Sequence, residues 1–342
     1  MRARFFVYLC IAGIVLSGAL TSDQIYFPHT RFEGKKTVIV SSGMGSRVIG
    51  TLLKREGIIG SKWAFVTYVS VRGEASDLKP GRYEFFDTAA IPSITRDLVA
   101  GSVRERVIVI PEGWGTADIA RELADQGMAS SRDAALDFFA NPPADTAARY
   151  NFLAGAAPQS GLEGYLFPDT YRIFQDATID TIAAKMLDNF SRKFTTDLRA
   201  EADRQEKSIS EIITMASLIE KEVVSDEDRA VVSGVLWKRL DAGIPLQVDA
   251  TVIYALARAG QIRAHQGYKI SAQDIKIDSP YNTYHYRGLP PGPIANPGLS
   301  AIRAALYPRP SPYLFYLSSP DGRTIFSRTL ADHNAAKNKY LR

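Results

Sequence analysis

The stretch Ser208-Ile-Ser-Glu-Ile-Ile-Thr-Met-Ala-Ser-Leu-Ile-Glu-Lys-Glu222 decides the fold. Ser208 followed three residues later by Glu211 is a capping box, so a helix starts at Ile209. Ile209, Ile212, Ala216, Ile219 and Val223 keep the helical spacing, and Met215 and Leu218 widen the apolar stripe. A helix this apolar is buried. Two carboxylates, Glu220 and Glu222, stand at its C-terminal end. At about 100° per residue they point roughly 200° apart, so one site cannot easily use both. Glu222 follows Leu218 and Ile219 on the apolar face, near the negative end of the helix dipole, and both effects raise its pKa. A lift of about two units costs roughly 2.7 kcal/mol and leaves a carboxylic acid able to donate a proton near neutral pH. The competing reading is an ion pair with Lys221 or Arg229, and the spacing alone leaves Glu220 open as well.

Working outward, Ser225-Asp226 starts a helix that runs through Val231, Val232, Val235, Leu236 and Leu240 to Gly243. In Leu246-Gln-Val-Asp-Ala-Thr-Val-Ile-Tyr254, Asp249 is expected to N-cap a helix over Ala250–Ala259, with substrate contact as the alternative. Ser279-Pro-Tyr-Asn-Thr-Tyr-His-Tyr-Arg-Gly-Leu-Pro-Pro-Gly292 is a proline-locked aromatic loop in which Tyr281, Tyr284 and Tyr286 alternate if extended. Rings and an Asn in such a loop suit sugar stacking, or else fill core. Gly161–Tyr171 is a second aromatic, glycine-rich loop. Two such loops around a helical body predict a substrate cleft.

The N-terminal half reads as a smaller α+β part. Thr37–Val40 is a strand, Gly43-Met-Gly-Ser46 a turn, and Val48, Ile49, Leu52 and Leu53 mark a helix that stops at Gly57. At an offset of 70, Gly43, Gly45, Ile49, Leu53 and Gly57 fall on Gly113, Gly115, Ile119, Leu123 and Gly127, after a second strand at Arg106–Ile110. This is either an internal repeat or ordinary glycine punctuation. Ser130–Ala157, rich in Ala, Asp and Pro, is expected to link the two parts.

Arg2 and Arg4 precede an uncharged stretch from Phe5 to Ser22. Eighteen residues span about 27 Å as a helix, just short of the roughly 30 Å hydrocarbon core. The arginines place the N-terminus inside and the rest of the chain outside. A cleavable signal peptide, with small residues at Ser17-Gly-Ala19, is the rival, and both readings export the chain. In 342 residues there are 41 Lys and Arg against 37 Asp and Glu, with no basic stripe, which excludes a nucleic-acid footprint. One cysteine, Cys10, excludes an intrachain disulfide, and His29, His265, His285 and His333 have no zinc-ligand spacing. No metal and no cofactor is expected, since no glycine-rich phosphate loop is followed by Lys.

Four ordered blocks resemble one family. Glu163-Gly-Tyr-Leu-Phe-Pro-Asp-Thr-Tyr171, Met215-Ala-Ser-Leu-Ile-Glu-Lys-Glu222, Leu246–Tyr254 and Ser279-Pro-Tyr-Asn-Thr-Tyr284 with Gly288-Leu-Pro-Pro-Gly-Pro-Ile294 are similar to the endolytic murein transglycosylases, the MltG or YceG-like family. Leu78-Lys-Pro-Gly-Arg-Tyr83 and Val109-Ile-Pro-Glu-Gly113 match that family's LysM-like part more weakly. The resemblance implies an α+β chain built as cytoplasmic tail 1–4, transmembrane anchor 5–22, connector 23–36, LysM-like module 37–130, linker 131–160 and helix-rich catalytic domain 161–342. It implies cleavage of peptidoglycan glycan strands between N-acetylmuramic acid and N-acetylglucosamine, leaving 1,6-anhydromuramoyl ends, on the outer side of the bacterial inner membrane. Glu222 matches the family's catalytic glutamate. Tyr281, Asn282, Tyr284, Asp249, Glu163 and Gln247 are the expected substrate contacts, and peptidoglycan synthases the expected partners. Many other lytic transglycosylases follow the catalytic Glu with Ser. Here Val223 follows, so the group that orients Glu222 is unnamed. Rival readings are a lysozyme-type hydrolase, which requires a second poised carboxylate (Glu163, Asp169 or Asp249), and a non-catalytic wall-binding scaffold.

Overall fold

The computed structural model describes residues 21–101, 105–156, 160–174, 177–223, 225–262 and 268–341. The expected anchor at 5–22 lies almost wholly outside the described residues. Among those that are described, no helix is long and apolar enough to cross a membrane. The chain divides into two compact units, residues up to 106 with 172–175, and 107–171 with 176–342.

The first unit is a two-stranded antiparallel sheet covered on one face by helices. Its order is β1 (Lys35–Val40), α1 (Ser46–Arg55), α2 (Lys62–Val71), β2 (Gly81–Phe86) and α3 (Ile91–Ala100). In the β1–β2 pairing Val38 faces Tyr83 and Val40 faces Gly81. Strand alternation sends Val38, Val40, Tyr83 and Phe85 into one core with Ile49, Leu53, Phe65 and Val69, while Ile39 and Phe86 stay on the open face.

The spacing of 70 is a true structural repeat. β3 (Glu105–Ile110), α4 (Thr116–Asp125) and α5 (Arg132–Ala140) begin and end 70 residues after β1, α1 and, at its start, α2. Gly43 and Gly113, and Gly57 and Gly127, all take positive φ. Ser61 caps α2 by accepting from the Ala64 N–H, and Ser131 caps α5 by accepting from the Ala134 N–H. Ile49, Leu53, Ile119 and Leu123 are fully buried. β3 forms a two-stranded sheet with β4 (Asp169–Phe174), as β1 does with β2, but extra chain intervenes before β4, holding α6 (Ala144–Arg149) and a 3₁₀ turn (Asn151–Leu153). Residues 131–160, whose composition suggests a linker, therefore carry helices, because Ala135 and Phe139 give α5 a buried face.

The second unit continues with α7 (Ile179–Lys193), α8 (Thr196–Arg204), α9 (Ile209–Glu222), α10 (Asp226–Asp241), α11 (Asp249–Arg258), α12 (Leu299–Leu306), the hairpin β5 (Phe315–Ser318) and β6 (Thr324–Ser327), and α13 (Leu330–Tyr340). α9 is central: Ile212 through Ile219 are all buried, and α12 packs along it. The capping box forms as the sequence predicts, with Ser208 accepting from the Glu211 N–H at 3.1 Å and Glu211 accepting from the Ser208 N–H at 2.8 Å. The Gly161–Tyr171 loop does not line a cleft. Leu162, Tyr165 and Leu166 are fully buried, and Tyr165 packs on Phe152 and Phe190, because this many rings in a short segment bury more apolar area than a surface loop could leave in water. Gly164 makes that burial possible, with φ +89° and a Cβ position 2.9 Å from Ile213 Cγ2 and 2.6 Å from Pro293 Cβ.

A Gly164→Ala change should therefore destabilise the second unit by about 3 kcal/mol, since it adds both a positive-φ penalty and a clash with the Pro293 ring and the Ile213 side chain. Urea unfolding of the full chain measures this. An unchanged midpoint would mean that the loop packing is looser than described.

Candidate active site

Three glutamates each meet the N-terminus of a different helix in the second unit. Helix N-termini present unpaired N–H groups and a positive dipole end, so carboxylates are natural partners for them. What differs among the three is everything else that touches the carboxylate.

Glu163 is 3% exposed. It accepts from the N–H and hydroxyl of Thr116, the first residue of α4, at 3.1 and 2.8 Å, and from Asn296 Nδ2 at 3.3 Å. Asn296 also accepts from the Leu166 N–H at 2.9 Å and donates to the Trp114 carbonyl at 2.9 Å, so this carboxyl is the centre of a packed network. Burial, only partly offset by the Thr116 hydrogen bonds, pushes it up to about 7. Its oxygens are occupied and shielded, so the expected sugar contact at Glu163 gives way to a structural cap.

Glu220 accepts from Arg229 at 2.8 Å and from the Gly298 N–H at 3.0 Å, at the start of α12. Both side chains of the pair are under a tenth exposed. Burial raises the Glu220 pKa, while Gly298 and Arg229 oppose the rise. Arg229 also reaches Asp226 at 3.1 Å, and Lys221 donates to the Gly113 carbonyl at 3.2 Å. The two cations that could have paired with Glu222 are thus engaged elsewhere.

Glu222 closes α9, and its backbone leaves helical geometry at Val223, with φ −144°. Its carboxylate accepts from the Ala250 N–H at the start of α11 and from the Tyr316 hydroxyl of β5. Burial, reinforced by the charge of Asp249, pushes it up to about 7. Unlike Glu163 it keeps part of its surface open to solvent. It is therefore an acid of near-neutral pKa on a partly exposed residue, and no cation neutralises it among the described residues.

The expectation that Asp249 caps α11 needs correction. Val248 occupies the N-cap and Asp249 is the first helical residue. Its exposed carboxylate accepts instead from Tyr284 Oη at 2.5 Å. Gln247 sits just before, at φ +55°, held by Arg239 on its Oε1 at 2.8 Å and by its own N–H donating to the Thr283 carbonyl at 3.1 Å. Thr283 Oγ1 accepts from the Val248 N–H at 3.0 Å and bonds to Thr251 Oγ1 at 3.0 Å, so the aromatic loop clamps the start of α11. Of the loop residues expected to touch sugar, only Tyr284 is partly open. Asn282 is fully buried, its amide donating to the Ile275 and Ile277 carbonyls at 2.8 Å and its Oδ1 accepting from the Tyr284 N–H at 3.0 Å. Tyr281 packs on Tyr254 at 4.8 Å between centroids and is 3% exposed. Both shape the loop from inside.

Tyr316 and Arg239 are neighbours of the candidate site that the sequence reading misses. Burial drives the Tyr316 hydroxyl well above its ordinary pKa, with the charge of Glu222 adding to it, so the hydroxyl remains a donor to Glu222. Arg239 is buried, lies over the Phe315 ring at 5.6 Å and interacts electrostatically with Tyr316 and Tyr284. No local pattern marks either residue, because both reach the site from distant chain segments.

The raised carboxyls carry a definite sign. A carboxyl near 7 when folded and near 4.3 when unfolded contributes stability below the unfolded value and loses it as pH rises through about 7. Glu222→Gln should therefore raise the unfolding free energy at pH 8 by about 1–3 kcal/mol and leave it nearly unchanged at pH 4. Glu220→Gln should lower it by about 3 kcal/mol, because Arg229 is left buried with only an exposed partner. Urea titrations of the two variants at both pH values test this, and equal effects of the two substitutions would contradict the assignment.

Comparison with known proteins gives the chain a family. The YceG-like family profile matches residues 38–339. A Bacillus subtilis (strain 168) protein named endolytic murein transglycosylase is 34% identical over 340 residues, covering 96% of this chain and 91% of its own length. A Streptococcus pneumoniae (strain D39) protein of the same name is 32% identical over 328 residues, covering 88% of this chain, which spans only 58% of that relative. The crystal structure of a yceG-like protein from Listeria monocytogenes superposes with a TM-score of 0.61 at 32% identity, covering 90% of this chain and all of that one. With most of its length matched by the family profile, the chain belongs to the YceG-like family.

Proposed function

We propose that this chain is an endolytic peptidoglycan lytic transglycosylase, a lyase whose acid and base is Glu222. The observation that carries the reading is a carboxyl near pKa 7 on a partly exposed residue, held by two hydrogen-bond donors and no cation. Protonated Glu222 gives its proton to the glycosidic oxygen between N-acetylmuramic acid and N-acetylglucosamine as that bond breaks through an oxocarbenium-like state. The carboxylate so formed is met by the Ala250 N–H and Tyr316 Oη, donors already in place for the developing charge. It then takes the proton of the muramic acid 6-hydroxyl, whose oxygen attacks C1 and closes the 1,6-anhydro ring. The nucleophile belongs to the substrate, so no activated water is required. Tyr284, Asp249 and Gln247 are the sugar-contacting side chains of this reading, and Tyr281 and Asn282 support the loop that carries them.

A second reading has one observation in its favour. Asp249 acts electrostatically on Glu222 and is exposed, so it could activate water and make the chain a hydrolase of the lysozyme type. The names carried by the Bacillus and Streptococcus relatives favour the transglycosylase.

The same proposal covers the finer organisation. Residues 5–22 anchor the chain in the bacterial inner membrane with the catalytic part outside, which the flanking Arg2 and Arg4 support. The module that starts near residue 37 is LysM-like, a reading supported by the βααβ order of β1, α1, α2 and β2. Tethered beside newly made glycan, the enzyme works with peptidoglycan synthases and limits strand length.

Glu222→Gln should lower turnover on purified peptidoglycan by at least about 10²–10⁴-fold while glycan binding is kept, and retained activity would remove Glu222 from the mechanism. The wild-type rate should fall as pH rises above about 7, where the acid is lost. The Tyr316 hydrogen bond lowers the Glu222 pKa. Tyr316→Phe should therefore move that alkaline limb upward by about half a unit or more while kcat falls about tenfold. A limb that stays in place would mean that the hydroxyl does not act through Glu222.

A further inference from the structure

The chain leaves no slack between the uncharged stretch Phe5–Ser22 and the first unit. Residues 21–26 are helical, and Ile25 is buried in the core that holds Phe65 and Val69. Asp23 pairs with His29 at 3.0 Å, the Arg31 N–H donates to the Gly57 carbonyl at 2.8 Å, and Thr30 Oγ1 donates to the Asp87 carbonyl at 2.6 Å. Gly60 passes so close beneath this segment that a Cβ there would lie 2.9 Å from His29 Cβ. The segment 23–34 is thus built into the unit rather than hanging from it.

Beside that segment lies an exposed apolar edge. Tyr26 is 60% exposed, Phe27 62%, Trp63 60% and Val71 82%. Trp63, Thr67 and Val71 are spaced by four residues and form one stripe of α2. Tyr26 meets Tyr68 edge-on at 6.5 Å, and the Arg72 guanidinium, which also pairs with Glu74, lies 5.6 Å from the Tyr68 ring centroid. The Lys62 ammonium lies 4.9 Å from the Trp63 ring centroid. Large exposed rings are unusual on a surface that faces only water. Amphipathic rings backed by basic heads are the side chains that settle at a membrane–water boundary, where the ring enters the acyl edge and the cation meets phosphate.

We infer that this edge of the first unit, Tyr26 and Phe27 with the Lys62–Val71 stripe, sits in the headgroup layer of the membrane and takes anionic phospholipid. The inference rests on the reading of residues 5–22 as an anchor, since Ile25, three residues past the uncharged stretch, is already core. The chain beyond the membrane then starts as a docked module, not as a free tether. Lys62 and Arg72 select phosphate, and Phe27, Trp63 and Val71 supply the apolar contact.

The test uses the full chain with Cys10→Ser, carrying a nitroxide at Val71→Cys, or at Ile39→Cys on the open face of the sheet as reference. It is reconstituted sparsely, so that no second copy can cover the edge, into vesicles of about one-third phosphatidylglycerol in phosphatidylcholine, a mimic of an anionic surface. Flotation reads the anchor alone, and protein that stays at the bottom of the gradient would overturn the anchor and, with it, the docking argued from it. In protein that floats, the label at position 71 should be at least about threefold less accessible to an aqueous nickel chelate than the label at 39. Phe27→Ser with Trp63→Ser should abolish that difference while flotation persists. Equal accessibility at 71 and 39 in floating protein would overturn the docking. Protection that persists undiminished in pure phosphatidylcholine would overturn the assignment to anionic lipid.

Discussion

Two carboxylates two residues apart on a helix cannot share a partner, and the second unit is organised by that constraint. Glu220 and Glu222 leave α9 in nearly opposite directions, so each finds the N-terminus of a different helix: α12 through Gly298 and α11 through Ala250. Glu163 does the same for α4 through Thr116. In each case a group that is costly to bury meets another with unpaired donors, which makes burial tolerable for both. The helices that carry the candidate site are held by the carboxylates from which the proposed acid is drawn.

Only one of the three is left chemically free. Asn296 and Thr116 complete the shell of Glu163, and Arg229 neutralises Glu220. Glu222 has two donors, the nearby negative charge of Asp249, and an open side. A shift from 4.5 to about 7 corresponds to roughly 3 kcal/mol of differential stabilisation of the protonated form. That cost falls on the fold whenever the group ionises. An environment that weakens the protein in this way, at a residue that is partly exposed, is better explained by proton transfer than by packing. Asp249 is the ambiguous neighbour. As a static negative charge it keeps Glu222 protonated, and as a base it would turn the chemistry toward water.

Local physics made the first half of this visible in the sequence. The capping box at Ser208 and Glu211, the apolar stripe of α9 and the divergence of Glu220 and Glu222 depend on residues within a few turns of each other. The repeat at an offset of 70 was readable for the same reason as far as Gly127, after α4, while α5 was read as part of a linker. The repeat's closing strand β4 was not readable, since the inserted chain breaks the period. The partners of the two carboxylates were hidden. Tyr316, Ala250 and Gly298 come from other elements, and no spacing announces a long-range contact. Asn282 and Tyr281 were read outward because polar and aromatic groups in a loop resemble a binding surface. In the structure their amide and ring serve the loop itself, and the carbonyls of Ile275 and Ile277 consume the amide.

The account stands on the nucleophile being the substrate's own 6-hydroxyl, and product chemistry in isotopically labelled water tests this most directly. Purified glycan strands are digested in ¹⁸O water and the new muramic ends are weighed. The account predicts ends one water lighter than hydrolytic ones, carrying no ¹⁸O. Full-mass ends bearing one ¹⁸O would contradict it and make Asp249 the base of a hydrolase.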